Sequence, residues 1–157
     1  RRIGLIRDPY NFGTTTVASA DTRRQLYATV FSSVSGTFTA DEEINQATTG
    51  AVGKVVEYDS TNKILYYYQT RFPDVGTDSD GNLTAFSGAN AITGQSSSAS
   101  ATPNTSNSTT TNGVVFVSGY SNPELAFDSG DIIYVEERSP ITRASDQTEN
   151  IKLIIEF

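Results

Sequence analysis

The stretch AVGKVVEYDSTNKILYYYQT, residues 51–70, decides the fold class of this protein. β-Branched and aromatic residues such as Val55 and Tyr58 precede a polar segment, 59–62, and the apolar and aromatic run 64–68 follows it. The polar segment consists of turn formers, whose short side chains hydrogen-bond to nearby backbone groups. Strand-forming residues on both sides of a four-residue polar loop are typical of a β-hairpin. We therefore predict two antiparallel strands joined at this turn.

Strand-like segments recur along the rest of the chain. Residues 23–31, RRQLYATVF, alternate between two faces, while GVVFVSG (113–119) and DIIYVEE (131–137) have the composition of buried strands. Residues 151–157, IKLIIEF, also alternate. Their odd-numbered side chains share one face, which we expect to point into a core, and Ile154 lies on the other face. About six short strands with Gly, Pro, Asn and Ser loops and no convincing long helix predict an all-β fold, a two-layer β-sandwich of short antiparallel strands with long polar loops.

Two segments give weaker local signals. ADEEINQA, residues 40–47, has acids at its start, where a helix dipole favours them, and predicts one or two helical turns. Residues 36–39 predict a short strand.

The stretch around 87–112 is almost all Ser, Thr, Asn, Ala and Gly, which bury too little apolar surface to offset their ordering entropy. We expect it to be a loop that becomes ordered only against a partner.

The amino-acid composition limits which catalytic groups, metal ligands and disulfides the protein can have. The chain has 157 residues, enough for one domain or two small ones, with no His, no Cys and no Met. Without His and Cys, the common catalytic bases, thiol nucleophiles and zinc ligands are missing, and disulfides are excluded. Without Met, we expect a processed product or a piece of a longer protein. No apolar run approaches the roughly 18 residues that span a membrane, so we expect no membrane partner.

Charge is distributed unevenly. The net charge of −7 opposes binding to phosphate backbones, so we expect no nucleic-acid partner. Residues 1–30, however, hold five Arg against two Asp. This asymmetry suggests docking by complementary charge, in which Arg23 and Arg24 take part; a solvated arm is the alternative.

Three groups of residues could carry chemistry, and each has a simpler structural interpretation. DVGTDSDGNLT, residues 74–84, spaces its acids like a broken calcium loop, and a hairpin tip explains it better. Tyr66, Tyr67 and Tyr68 alternate in direction along a strand, so they cannot form one stacking platform. The acids of 123–137 could serve a glycosidase, but nothing indicates a cleft. We expect no catalytic residue, no metal and no cofactor.

The end of the sequence resembles a known family. GDIIYVEERSPITRASDQTENIKLIIEF, residues 130–157, is similar to the C-terminal signature of the baseplate wedge proteins of T-even-like contractile-tailed bacteriophages. RRIGLIRDPYNFG (1–13) resembles a mid-chain segment of that family, and 53–69 resembles its following hairpin. The matching positions in the terminal motif are Gly130, Asp131, Arg138, Pro140, Ile141, Arg143, Asp146, Gln147, Glu149, Glu156 and Phe157.

The resemblance implies a structural protein. Residues 1–157 would be the C-terminal β-sandwich portion of a larger wedge subunit. Such a subunit is a homodimer without catalytic residues, assembles in the host cytoplasm and sits in the virion tail baseplate among other wedge proteins. The charged residues and the outward-facing isoleucine give these interface candidates: Arg7, Arg23, Arg24, Arg138, Arg143, Asp146, Gln147, Glu149 and Ile154.

One alternative from another class stays open at this point. A carbohydrate-binding or adhesin-type β-sandwich would use Tyr66 to Tyr68 or the acidic loop as its site. Glycan binding or calcium binding would distinguish it from a wedge protein.

Overall fold

The structure is a computed structural model that describes residues 2–19, 24–69, 76–126 and 129–137. The described residues contain no helix and form eleven strands. These are β1 (Arg2–Arg7), β2 (Tyr27–Ser35), β3 (Glu43–Gln46), β4 (Ala51–Asp59), β5 (Ile64–Tyr68), β6 (Ile92–Gly94), β7 (Ser100–Pro103), β8 (Thr110–Thr111), β9 (Val114–Val115), β10 (Tyr120–Ser121) and β11 (Asp131–Glu137).

The predicted hairpin is confirmed as β4 and β5. The strands pair antiparallel, and Asp59 lies opposite Ile64 at the turn. One carboxylate oxygen of Asp59 accepts hydrogen bonds from the backbone N–H groups of Thr61, at 2.9 Å, and Asn62, at 3.0 Å. The turn is therefore closed by the local side-chain chemistry that its sequence predicts.

Strand β2 closes the main sheet on itself. Its first half, 27–30, pairs with β5, and its second half, from Phe31 to Ser35, pairs with β7. Because the sheet order is β10-β2-β5-β4-β3-β6-β7, the pairing of β2 with β7 joins the two ends of a ring of six strands. All pairings in the ring are antiparallel. The all-β, sandwich-like fold predicted from the sequence is thus confirmed.

The main core lies inside this ring. Each of the six strands contributes to one buried cluster, which contains Phe31, Phe38, Ile44, Ala51, Val55, Leu65, Tyr67, Phe86, Ile92, Ala99 and Ala101. A second cluster lies against the other face of β2 and β5, where Ala28, Val30 and Ile64 pack with Val114 and Phe116. Strand β2 is consequently buried on both faces from Ala28 to Phe31.

Two local predictions are wrong. Residues 43–46 of the expected helix form the strand β3, because Ile44 and Gln46 are buried while Glu43 is exposed, which is the alternation of a strand. The expected strand at 36–39 is absent; β2 ends at Ser35, and Gly36 adopts a positive φ of 80°.

The Ser/Thr-rich stretch also differs from the expectation of a loop. It contains β6, β7 and β8, and Ile92, Ala99 and Ala101 from this stretch belong to the main core. The side chain of Gln46 holds the first residues of this stretch. Its amide donates to the Asn90 carbonyl at 2.8 Å and accepts from the Ser87 N–H at 2.9 Å. These contacts lie within the chain, and whether a partner is needed to order the stretch stays a prediction.

Glu42 fastens the turn between β6 and β7. Its buried carboxylate accepts hydrogen bonds from the backbone N–H groups of Ser96 at 3.1 Å and Ser97 at 2.9 Å, and from the Ser97 hydroxyl at 2.8 Å. The N–H of Thr39 donates at 2.6 Å to Oε1, the oxygen that also accepts from the Ser97 hydroxyl, while the two serine N–H groups donate to Oε2. Burial alone would raise the pKa of Glu42, but the bonds from Ser97, Thr39 and Ser96 together lower it below its usual value.

Replacing Glu42 by Gln should lower the free energy of unfolding by about 1–3 kcal/mol, because the amide group presents hydrogens to backbone donors that now lack an acceptor. The carboxylate, whose folded pKa is depressed, contributes stability above its unfolded pKa of about 4.3, and this contribution is lost as the pH falls through the folded pKa. The difference between wild type and Glu42→Gln should therefore shrink below about pH 4. Urea unfolding between pH 3 and pH 7 measures it.

The matched control is Glu43→Gln, since Glu43 is the exposed neighbour on β3. It should change the free energy of unfolding by less than about 0.5 kcal/mol at neutral pH. Equal effects of the two substitutions, or a Glu42 effect that is the same at pH 3 and pH 7, would contradict this role of the carboxylate.

Candidate interface: the β1–β11 ribbon

Strands β1 and β11 form a separate two-stranded antiparallel ribbon. Leu5 lies opposite Tyr134 and Ile6 lies opposite Ile132. Between these two pairs the register shifts, and Ile133 has no partner on β1, which is the geometry of a β-bulge. Within the described part of the chain, neither strand pairs with the closed ring.

The ribbon exposes apolar side chains on both faces. Neighbouring residues of β1 point to opposite faces, so Leu5 with Tyr134 and Ile6 with Ile132 lie on different sides. All four side chains are exposed, Ile132 to 70%. The full set of exposed large apolar residues on the ribbon is Ile3, Leu5, Ile6, Ile132, Ile133, Tyr134 and Val135. We call this set the ribbon surface.

Exposure of the ribbon surface to water is unfavourable unless other residues cover it. An isolated two-stranded ribbon is marginally stable in water, and soluble monomers rarely expose a large contiguous apolar patch. A sheet that faces solvent on one side normally has a polar face, whereas the ribbon has none along its middle. The ribbon surface therefore has the character of an interface on both sides.

The sequence prediction for β11 is half right. The strand is present at 131–137, but its side chains are exposed rather than buried. The physical reason is its location, because β11 pairs with β1 and not with a strand of the closed ring. The apolar run predicts a strand that needs burial on both faces, and it is the sequence signal that makes the ribbon a candidate interface.

Arg7 lies at one end of the ribbon. Its Nη2 donates to the Asp131 carboxylate at 3.0 Å across the two strands, and its Nε lies 3.7 Å from the Asp8 carboxylate. Both partners of the cross-strand pair are exposed. An exposed pair of this kind contributes little stability, so Arg7 is suited to contact another molecule.

Arg24 has a structural role. Its guanidinium donates to the carbonyls of Leu26 and Asn122 and to the hydroxyl of Ser121, the last two at 2.8 Å. The backbone N–H of Arg24 donates to a carboxylate oxygen of Glu124 at 2.8 Å. Partial burial lowers the pKa of Arg24, and the nearby charge of Glu124 opposes that shift. Arg24 thus ties the approach to β2 to the segment after β10.

A surface groove lies beside Arg24. It has a volume of about 520 Å³, and its lining includes the exposed side chains of Val115 and Val117 together with Tyr120 and Glu124. Apolar side chains, the cation Arg24 and the anion Glu124 line it together. The groove is therefore a second candidate surface for binding a partner, beside the ribbon.

The remaining interface candidates lie outside the described residues. They are Arg23, Arg138, Arg143, Asp146, Gln147, Glu149 and Ile154. The predicted terminal strand, 151–157, also lies outside them.

The aromatic and acidic groups do not form a ligand site in the described structure. Tyr67 is buried and stacks on Tyr27, with ring centroids 5.6 Å apart. Asp78 accepts the backbone N–H groups of Asp80 at 3.0 Å and Asn82 at 2.8 Å, which closes the turn that the sequence predicts there. In the described ranges, no three His, Cys, Asp or Glu residues are grouped so that they could hold a metal ion. Nor does any helix there have the length and apolarity to span a membrane.

A protein-family model matches a large part of the chain. The family described as bacteriophage T4 Gp8 matches residues 61–157, more than half of the chain. The matched region includes β5 and β11. No curated protein matches this sequence, and no solved structure matches it.

Arg24→Ala should lower the free energy of unfolding by about 1–3 kcal/mol, because it removes charged hydrogen bonds to the half-buried Leu26 and the buried Ser121. Arg7→Ala, the matched control on the ribbon, should change it by less than about 0.5 kcal/mol. Chemical denaturation of the two variants measures both. A stable Arg24→Ala variant would show that Arg24 is available for docking, as its charge alone suggested.

Proposed function

The chain belongs to the family of the bacteriophage T4 baseplate wedge protein Gp8, and from this premise we propose that it holds neighbouring wedge proteins together through the β1–β11 ribbon. The protein is a structural component of the virion tail baseplate.

The ribbon surface is the observation that carries the proposal. A structural subunit of a large assembly needs a surface that is unfavourable in water and favourable against a neighbour. The ribbon supplies apolar side chains on both faces, and β11 lies inside the region that the family matches. Burial of apolar surface contributes roughly 25 cal/mol per Å², so covering these exposed side chains would favour association with a neighbour.

Charged residues at the end of the ribbon would set orientation. Arg7 and Asp131 are exposed, and Glu136 and Glu137 close the other end of β11. Charges at the rim of an interface mainly determine specificity and encounter rate. In the proposed arrangement, the apolar middle of the ribbon supplies affinity and its charged ends select the partner.

Further parts of the proposal rest on the family. We propose that the subunit is a homodimer, that it contacts other wedge proteins, and that it assembles in the host cytoplasm before joining the baseplate. The candidates Arg138, Arg143, Asp146, Gln147, Glu149 and Ile154 belong to the same proposal. A structural role without catalysis is consistent with this family.

The carbohydrate-binding alternative has no support in the described residues. Its stacking platform would need exposed aromatic rings, but Tyr67 is buried, and Tyr66 and Tyr68 are half-buried along β5. Its calcium loop would need carboxylate oxygens turned outward, whereas one oxygen of Asp78 already accepts two backbone hydrogens.

Val135→Ser should weaken assembly with neighbouring wedge proteins at least about fivefold, since losing a buried apolar contact at an interface costs about 1 kcal/mol or more. The stability of the isolated protein should stay within about 0.5 kcal/mol of wild type, because Val135 is exposed there. Analytical ultracentrifugation of the full subunit with its wedge neighbours measures assembly, and urea unfolding measures stability.

Val115→Ser is the matched control. The residue type is the same and the exposure is nearly equal, at 63% for Val115 and 64% for Val135, but Val115 lines the groove beside Arg24. Val115→Ser should assemble normally. The reverse result, with the groove variant defective and the ribbon variant normal, would move the interface to the groove.

A further inference from the structure

The turn between β8 and β9 contains the one Asn-Gly dipeptide of the sequence, Asn112–Gly113. Thr111 lies opposite Val114, so these two residues form the whole turn. Both have positive φ angles, 48° for Asn112 and 76° for Gly113. Two-residue hairpin turns of this kind require positive φ at both central positions, and Asn followed by Gly adopts that conformation with least strain. The hairpin therefore depends on the dipeptide in which an asparagine amide is most open to attack by the next backbone nitrogen.

The surroundings of the turn leave this dipeptide accessible. Asn112 and Gly113 are both exposed. A Cβ placed on Gly113 would meet no atom within 4 Å, so the space beside the peptide bond between the two residues is open. Within the described part of the chain, the N–H of Gly113 donates no backbone hydrogen bond that would hold its nitrogen in place.

We propose that Asn112 is a site of spontaneous deamidation. The backbone nitrogen of Gly113 attacks Cγ of Asn112 and forms a C–N bond. The bond from Cγ to Nδ2 breaks, and the amide leaves as ammonia together with the proton of the Gly113 N–H. Water then opens the resulting cyclic imide at one of its two carbonyl groups, which gives aspartate or isoaspartate at position 112. The reaction needs water but no oxidant, reductant or enzyme.

The amide that is lost links two hairpin turns. Its Nδ2 donates to Oδ2 of Asp59 at 3.3 Å, and the same carboxylate closes the turn between β4 and β5. Hydrogen bonds from Asn62 and Thr61 lower the pKa of Asp59, so this carboxylate is ionised at neutral pH. An aspartate at position 112 places a second negative charge beside it, and an attraction becomes a repulsion.

Deamidation therefore loosens the cover of the second hydrophobic cluster. Val114 and Phe116 of this hairpin are its buried residues and pack in that cluster against β2 and β5. The N–H of Phe116 donates to the Thr109 carbonyl at 3.1 Å and holds the two sides of the hairpin together. Repulsion at the turn favours local opening of this unit, and isoaspartate, which lengthens the backbone by one methylene, does so as well.

Peptide mass spectrometry after incubation of the full 157-residue chain at neutral pH tests the reaction. Asn82 is the matched control. It is exposed, lies in a turn and donates its amide to an aspartate carboxylate at 3.4 Å, but Leu83 follows it. Asn112 should deamidate at least about tenfold faster, because Gly has no side chain to obstruct the attack. Equal rates at the two sites, or no reaction at Asn112, would overturn the proposal.

Gly113→Ala separates the chemistry from a change in flexibility. The added methyl group has room, but Ala adopts a positive φ only with strain, so the turn becomes looser. Loosening alone would speed deamidation, whereas obstruction of the attacking nitrogen slows it. We expect a decrease in the rate of at least about fivefold. An unchanged or faster reaction would contradict attack by this nitrogen.

Asn112→Asp reproduces one product and tests its effect on the hairpin. Hydrogen exchange of the Phe116 amide should become several-fold faster, while the amide of Leu65 in the ring keeps its rate. Adding Asp59→Asn should return the Phe116 amide to the rate of Asp59→Asn alone, because the new carboxylate then faces an amide. If Asn112→Asp leaves the exchange of Phe116 unchanged, or if Asp59→Asn does not remove its effect, the proposed link between the two turns is wrong.

Discussion

Strand β2 is the constraint on which the rest of the structure depends. Its first half pairs with β5 and its second half with β7, so one strand closes the ring. Its side chains alternate between the two faces: Phe31 packs inside the ring, whereas Ala28 and Val30 pack outside it. Every backbone edge and both side-chain faces of its middle are used. A polar substitution at Phe31 would disturb the inner cluster, and one at Ala28 or Val30 would disturb the outer one, which is why this part of the molecule is committed to stability.

The ribbon stands in contrast to β2. Its apolar side chains are exposed on both faces, and its two strands pair only with each other in the described structure. Under the proposed function, stability and assembly belong to different parts of the chain. A structural subunit benefits from that division, because the assembly surface can bind a partner without disturbing the ring. The charged groups follow the same division, since Arg24 supports the ring and Arg7 lies at the end of the ribbon.

Local features could be predicted from the sequence, and long-range ones could not. The turn at 59–62 was predictable because Asp59 bonds to the N–H groups of its own turn. Glu42 was assigned to a helix start, since its partners Ser96 and Ser97 are more than 50 residues away in sequence. Arg24 was assigned to docking for the same reason, because it binds residues about 100 positions later. The composition of 87–112 predicted a loop, but pairing with β2 and β3 overrides weak local preference. The apolar pattern of β11 predicts a buried strand, but its apolar side chains are exposed because it pairs with β1 outside the ring.

Hydrogen exchange of the subunit, alone and assembled with its wedge neighbours, tests the division between ring and ribbon most directly. In the isolated protein, amides of β2 should exchange only through global unfolding, and amides of β1 and β11 should exchange much faster through local opening. On assembly, protection of β1 and β11 should rise by at least about tenfold while β2 keeps its rate. Protection of the ribbon that already equals that of β2 in isolation, or that does not change on assembly, would contradict the assignment of the ribbon as the assembly surface.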